Sequence, residues 1–482
     1  MTFDSKEFLI FFAVIFGSWL FIRGQKRWIR NSFMLLASYF FYGFWSPPFV
    51  ILILISTLVD FYIGRAIEKS SNQRFRKQLV GASVVTNLSI LGFFKYFNFF
   101  IDSALMGLPE GSFMAPTFEV LLPVGISFYT FQSMSYSIDV YRKQIKASDS
   151  LLDFALYVAF FPQLVAGPIE RAGNMLKQFA NTPQMNTAKT MDGFDLVIRG
   201  FFKKIVVADN VAPLVNLVFG DIDSASTLSM WIACYAFGVQ VYCDFSGYTD
   251  IARGTSKLLG FELMENFRAP FSARNISDYW KRWHISFSTW LRDYLYISLG
   301  GNRGTKFKLL RNLIIVMGLG GLWHGAAWHY VLWGLYHGAL LVVYHTAAPT
   351  ISRLTSGFNK TGHLLFNIAS WFLTFQLVTI SWVFFRAENV DEITTALNIM
   401  LLTPVKETIS QGLTFIPYAG IGEQMFYVVL IGGAIVAQLI YRDEPYNWTK
   451  TYWFRGLRGA LSLALIVILY PSVKEQFIYF QF

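Results

Sequence analysis

Two histidines, His284 and His324, stand in a stretch, 279–338, where an otherwise apolar chain gathers histidine, arginine, tryptophan and glycine. His284 lies among cationic and aromatic neighbours in YWKRWHISFSTWLRDYLYISLGGNRG. His324 sits between Trp323 and Gly325 in the hydrophobic run LIIVMGLGGLWHGAAWHYVLWGLYHG. An ionisable side chain inside such a run is disfavoured and commonly marks a site. Imidazole exchanges protons near neutral pH. Burial favours its neutral form, which can take a proton from a hydroxyl. Attack of a hydroxyl on a thioester needs such a base and a group that stabilises the developing oxyanion. A second histidine, or a tryptophan N–H, supplies the latter. Two buried histidines facing one passage through the membrane therefore match acyl transfer, without a metal or a covalent enzyme intermediate.

Other uses fit the same residue types. A histidine in a membrane helix can hydrogen-bond a neighbouring helix, and His329, His337, His345 and His363 are read that way. A bis-histidine haem rests on histidine count alone. Proton-coupled transporters also place carboxylates and histidines at membrane depth. On these residues alone, enzyme and transporter both stay open.

The chain around them is lipid-soluble in character. Of 482 residues, 54% are hydrophobic and only 15% charged, against roughly a quarter charged in soluble proteins. Aromatics reach 18%, which suits many membrane–water interfaces. Apolar runs of spanning length recur, so the expected fold is all-α: a polytopic membrane protein with about eleven transmembrane helices plus short re-entrant or interfacial helices. A β-barrel would alternate polar and apolar residues instead. The net charge of +10 lies in connectors between apolar runs, which is the positive-inside pattern rather than a nucleic-acid footprint. Cys234 and Cys243 lie in or beside apolar stretches, so neither a structural disulfide nor a zinc site is expected. MTFDSKEF lacks a basic n-region, so the first apolar run is expected to be a retained helix.

Charge asymmetry sets the expected topology, with the N-terminus outside. Spans at 8–22, 31–45, 49–64, 79–97 and 120–138 alternate between basic inner loops and an outer loop at 102–119 that carries no Lys or Arg. The Pro, Gly, Ser and Tyr content of 121–142 reads as helix packing through small residues or as the lining of a polar passage. FFPQLVAGPIER (160–171) predicts a broken or re-entrant segment. Arg199, Lys203 and Lys204 predict an amphipathic helix at the inner interface over 194–207. In VQVYCDFSGYTDIARG, Asp244 stands beside Ser246 and Gly247, followed by Tyr248. It serves either as an interfacial cap or to orient a catalytic group. From Arg253 to Arg311, eleven Lys/Arg face four Asp/Glu, so this part is placed on the cytoplasmic side as short helices dipping into the inner leaflet. Its Gly-rich turn 300–308 is either a solvated loop or a landing place for an anionic donor. Further spans are expected at about 364–385, 424–441 and 457–471. The acidic connector 387–423 is expected outside and the basic connector 442–458 inside.

Seven stretches carry a resemblance. They are LLPVGISFYTFQSMSYSIDVYR (121–142), FFPQLVAGPIER (160–171), YCDFSGYTDIA (242–252), ENFRAPF (265–271), YWKRWHISFSTWLRDYLYISLGGNRG (279–304), GGLWHGAAWHYVLWGLYHG (320–338) and WVFFRAEN (382–389). In this order they resemble the membrane-bound O-acyltransferase family, in its alginate O-acetyltransferase-like branch. The resemblance implies one integral-membrane domain: N-terminal helices 1–150, a catalytic core 151–347 and C-terminal helices 348–482. It implies a funnel from outside, a cytoplasmic entrance and a central tunnel. The histidine in the WHG context, His324, is implied as the catalytic base, and His284 as a supporting residue at a position that is Asn or His in the family. Trp323, Asp244, Ser246 and Tyr248 are tunnel candidates. Arg282, Arg292 and Arg303 are candidates for meeting the donor's phosphates, though the positive-inside rule accounts for them equally. No bound cofactor or metal is implied. The implied donor is an acyl thioester such as acetyl-CoA, and the implied acceptor is an exported, alginate-like polysaccharide, with a periplasmic acetyltransferase partner. The implied location is the bacterial inner membrane, with the N-terminus periplasmic. A D-alanyl transferase fed by a carrier protein, and a transporter without acyl chemistry, are the alternatives.

Overall fold

The apolar runs fold as helices in a computed structural model, which describes residues 1–106, 122–403, 419–442, 451–471 and 476–478; these residues contain no β-strand. The chain forms two compact units, Met1–Val197 with Tyr248–Met264, and Ile198–Gly247 with Glu265–Phe482.

In the first unit the expected spans become helices Lys6–Ile22, Arg27–Gly43, Val50–Lys69, Gln73–Leu91 and Ile126–Tyr141. Side-chain oxygens start several of them: Ser5 accepts from the Phe8 amide and Asn72 from the amides of Arg74 and Phe75. Asp60, Asn87 and Ser137 tie three helices together inside this unit. The buried Asp60 carboxylate accepts from the Ser83 hydroxyl, the Asn87 amide (2.7 Å) and the Ser137 hydroxyl (2.7 Å). The Ser56 hydroxyl donates to Asn87 Oδ1 at 2.6 Å. The small polar residues of 121–142 that reach this network are thus used in helix packing. The 160–171 segment is broken as expected. Leu151–Ala159 gives way to the single turn Phe161–Leu164, and the backbone there is buried in protein, where irregular structure is tolerated at membrane depth.

The second unit holds the histidine-bearing helices Lys306–His324 and Trp328–Thr355, then Lys360–Arg386, Val390–Leu401, Ile421–Ile440 and Tyr452–Ile468. The first two pack backbone to backbone. A Cβ on Gly321 would lie 2.1 Å from the Tyr330 carbonyl oxygen, and one on Gly334 would lie 2.2 Å from that of Met317. The glycines of GLGGLWHG and LWGLYHG are what let the helices close. Before them come the short helices Ile276–Arg282 and Ile285–Trp290 and the π-turn Leu291–Tyr296.

Among the described residues, five helices are long and apolar enough to cross a membrane: Pro47–Lys69, Gln73–Leu105, Trp328–Thr355, Lys360–Arg386 and Ile421–Ile440. Lys6–Ile22, Arg27–Gly43 and Tyr452–Ile468 are 17 residues each, shorter than the roughly 20 a perpendicular span needs. One expectation is corrected. The 194–207 segment is helical, but Lys204 is buried among carboxylates rather than lying at an interface. The 387–423 connector contains helix Val390–Leu401, capped by Asn389, whose Oδ1 accepts from the Glu392 amide at 2.8 Å, and packed through Ile393, Ala396 and Met400. Parts of the loop 102–119, of that connector and of the basic connector 442–458 lie outside the described residues.

Candidate functional site

His324 is the last residue of helix Lys306–His324 and is 3% exposed. The helix stops there because Gly325 is extended, and the position takes only glycine because a Cβ would lie 2.1 Å from Cε2 of Tyr330. The tight WHG turn leaves the His324 ring in the core of the second unit.

His284 comes to the same place by a different device. It is fully buried and adopts a left-handed backbone, φ 42° and ψ 54°, at the start of helix Ile285–Trp290. The strained turn is pinned by Asn266, whose backbone oxygen accepts from the Ile285 amide at 2.9 Å and whose Oδ1 accepts from the Ser286 amide at 3.1 Å. A non-glycine residue held in this region at a buried position is an observation that points toward function.

The two imidazoles lie 6.4 Å apart, centroid to centroid, at 52°. Aromatic rings wall them in. Phe287 stacks on His284 at 5.0 Å and on Trp323 at 4.2 Å, and its ring is 5.7 Å from His324. Phe245 meets His284 edge-on at 4.7 Å. Trp333 and Phe385 meet His324 at 5.1 and 5.3 Å. His284 lies outside the five long spans, and burial pushes its pKa down to about 3. At neutral pH it is therefore an uncharged imidazole, able to donate one hydrogen bond and accept another. Such a cage holds water back from the two imidazoles and strengthens each polar contact inside it.

The other candidates divide. Trp323 is in the cage. Asp244 is buried, but its carboxylate faces Lys204, 3.0 Å from Nζ, which also lies 2.8 Å from Asp209. Asp244 Oδ2 accepts from the Ile478 amide at 2.7 Å. Ser246 is buried on the same helix. Tyr248 belongs to the first unit, where its ring stacks on Phe3 at 4.3 Å. Arg282 bonds Asp278 at 2.8 Å and the Arg442 carbonyl at 3.1 Å, so it braces the short helices. Arg292 pairs with Asp293 at 2.7 Å on the surface, and Arg303 is exposed in the Gly-rich turn. Sequence reasoning missed Asn266, Lys204, Phe245, Phe287, Trp333 and Phe385. Only Phe287 carried a signal, one helical turn after His284. Both cysteines are buried, and Cys234 Sγ lies 3.7 Å from Met400 Sδ. Among the described residues no cluster of three His, Cys, Asp or Glu could hold a metal ion.

The model of the membrane-bound O-acyltransferase family matches residues 49–384. The chain is 42% identical to the "Probable alginate O-acetylase AlgI" of Pseudomonas aeruginosa, over 81% of this chain and 73% of that one. It is 32% identical to the peptidoglycan O-acetyltransferase of Helicobacter pylori, over 93% and 91%. It is 30% identical to the teichoic acid D-alanyltransferase of Bacillus subtilis, over 48% and 60%. The chain thus belongs to the membrane-bound O-acyltransferase family, as a multi-pass membrane enzyme that transfers acyl groups to hydroxyls.

Proposed function

We propose that this enzyme takes an acetyl group from a cytoplasmic thioester, acetyl-CoA, and passes it across the bacterial inner membrane for O-acetylation of an exported, alginate-like polysaccharide, with a periplasmic acetyltransferase as partner. The N-terminus is then periplasmic. The observation that carries the reading is the pairing of His324 and His284 in one water-poor aromatic cage, 6.4 Å between ring centroids. His324 accepts the proton of the acceptor hydroxyl as its oxygen attacks the thioester carbonyl carbon. The carbon–sulfur bond breaks, and the proton passes from the imidazolium to the leaving thiolate. An ester and a free thiol result. His284, neutral and buried, orients or polarises the carbonyl. Trp323 shapes the passage beside them, with Asp244 and Ser246 on a neighbouring helix. Arg303, exposed and cationic, is available to the donor's phosphates, whereas Arg292 is paired with Asp293 and Arg282 with Asp278 and each would exchange that partner.

The similarity to an alginate O-acetylase over most of the chain favours acetate and a polysaccharide. The shorter match to a teichoic acid D-alanyltransferase keeps D-alanyl transfer from a carrier protein as the second reading. The deciding experiment offers labelled acetyl-CoA, or a D-alanyl carrier protein, to the cytoplasmic face of sealed vesicles. Wild type is compared with His324→Ala. Label on a hydroxyl acceptor from acetyl-CoA, lost in His324→Ala by roughly 10²-fold or more, supports the proposal. Transfer by His324→Ala at the wild-type rate overturns the assigned base, and label from the carrier protein alone overturns the donor.

A further inference from the structure

The reaction above leaves a third histidine, His337, without a task. His337 is fully buried, and neither ring nitrogen has a hydrogen-bond partner among the described residues. Four rings wall it: Trp333 at 4.7 Å, Trp280 at 5.2 Å, Tyr336 at 5.8 Å and Tyr279 at 6.0 Å. The indole nitrogens of Trp333 and Trp280 are likewise buried without a hydrogen-bond partner among these residues. Leaving buried polar atoms unpaired destabilises a fold. Phenylalanine would fill a pocket of aromatic rings without that penalty, so packing alone gives no reason for an imidazole here.

Trp333 is the wall that His337 shares with His324. Its ring lies 4.7 Å from one and 5.1 Å from the other, and meets His324 edge-on at 87°. Edge-to-face contacts hold rings at a defined angle. His324 closes its helix, so its ring setting depends on such neighbours. We infer that His337 is a positioning residue for acyl transfer and fixes the His324 imidazole through Trp333. Its polar edge is the operative feature. One small hydroxylic guest, such as a water molecule, accepts from the Trp333 N–H and pairs with the His337 ring, locking the indole in place.

The inference rests on His324 being the base, and the test separates the two. Donor KM and kcat for acetyl transfer are measured in vesicles for His324→Ala, His337→Phe, His337→Asn, Trp333→Phe and the double variant His337→Phe/Trp333→Phe. The folded state of each is checked by thermal unfolding in detergent. His337→Phe is expected to lower kcat by about tenfold with KM unchanged. His337→Asn, which keeps a donor and an acceptor, retains several times more. The double variant is no slower than the slower single variant, because both changes break one unit. If His337→Phe turns over at the wild-type rate, or His337→Asn is no better than His337→Phe, or the loss falls on KM, the positioning role is wrong. If His337→Phe does not fold, His337→Asn in the Trp333→Phe background decides. No further loss supports the role, and an additive loss overturns it. A fully active His324→Ala removes the base, and the inference with it.

Discussion

Phe287 touches both imidazoles of the site, its ring centroid 5.0 Å from that of His284 and 5.7 Å from that of His324. One hydrocarbon ring thus sets the spacing of the two polar groups. Helix Ile285–Trp290 carries Phe287 one turn beyond His284. Whatever fixes the backbone at His284 therefore fixes the distance to His324 as well.

That backbone yields the first prediction. His284 is held at φ 42°, a region that asparagine tolerates and β-branched residues do not. His284→Asn is expected to unfold within about 1 kcal/mol of wild type near neutral pH, and His284→Val to lose roughly 1–3 kcal/mol. Acid separates the imidazole from the backbone. Its folded pKa is about 3, against 6.5 when free. Between those values the unfolded chain binds a proton that the folded chain refuses, so this contribution to stability is present above pH 6.5 and fades as pH falls toward 3. Unfolding of the detergent-purified protein across this window should fall less steeply for His284→Asn than for wild type. Equal slopes would show that the buried imidazole does not supply this linkage.

The glycines of the WHG turn give a second prediction. A Cβ at Gly325 meets the Tyr330 ring at 2.1 Å, and one at Gly321 meets the Tyr330 backbone oxygen at 2.1 Å. Both Ala variants are overpacked and should lose about 1–3 kcal/mol in thermal unfolding. They differ in rescue. A ring can be removed, so Gly325→Ala/Tyr330→Ala should recover part of the loss specific to Gly325→Ala. The carbonyl cannot be removed, so Tyr330→Ala gives Gly321→Ala no such relief. Equal behaviour of the two double variants would mean that the helices separate rather than clash.

How far the sequence revealed this site follows from what each residue leaves in its surroundings. His324 was legible because a lone imidazole in an apolar run contrasts with its neighbours, and its WHG turn is explained by Tyr330 filling the space over Gly325. The apolar runs were legible as helices for the same reason, hydrophobicity over a sufficient length. Trp333 and Phe385 were not legible, because an aromatic residue in an aromatic-rich chain carries no contrast; only the fold selects the few that face an imidazole. Asn266 acts through hydrogen bonds to the Ile285 and Ser286 amides, across a segment that includes helix Ile276–Arg282, which no local pattern encodes. Lys204 was misread because its spacing from Arg199 and Lys203 imitates a basic face, while a π-turn brings it to Asp209 five residues on in the same helical run and Asp244 comes from another helix.

Lys204 supplies the last prediction. Its Nζ lies 2.8 Å from Asp209 and 3.0 Å from Asp244, and all three side chains are nearly excluded from solvent. Removing Lys204 takes a cation away from two buried carboxylates, so Lys204→Met should cost roughly 3–5 kcal/mol. Asp244→Asn leaves the Lys204–Asp209 pair and should cost about 1 kcal/mol. The triple variant Lys204→Met/Asp209→Asn/Asp244→Asn removes all three of these charges together and should recover much of the Lys204→Met loss. The same series decides between the two readings of Asp244. Its neighbour Phe245 packs on His284 at 4.7 Å, so a disturbed ion cluster should lower stability and acyl transfer together. If Asp244 instead lines the substrate path, Asp244→Asn will lose activity at wild-type stability, and measuring both quantities on the same preparation tells the two apart.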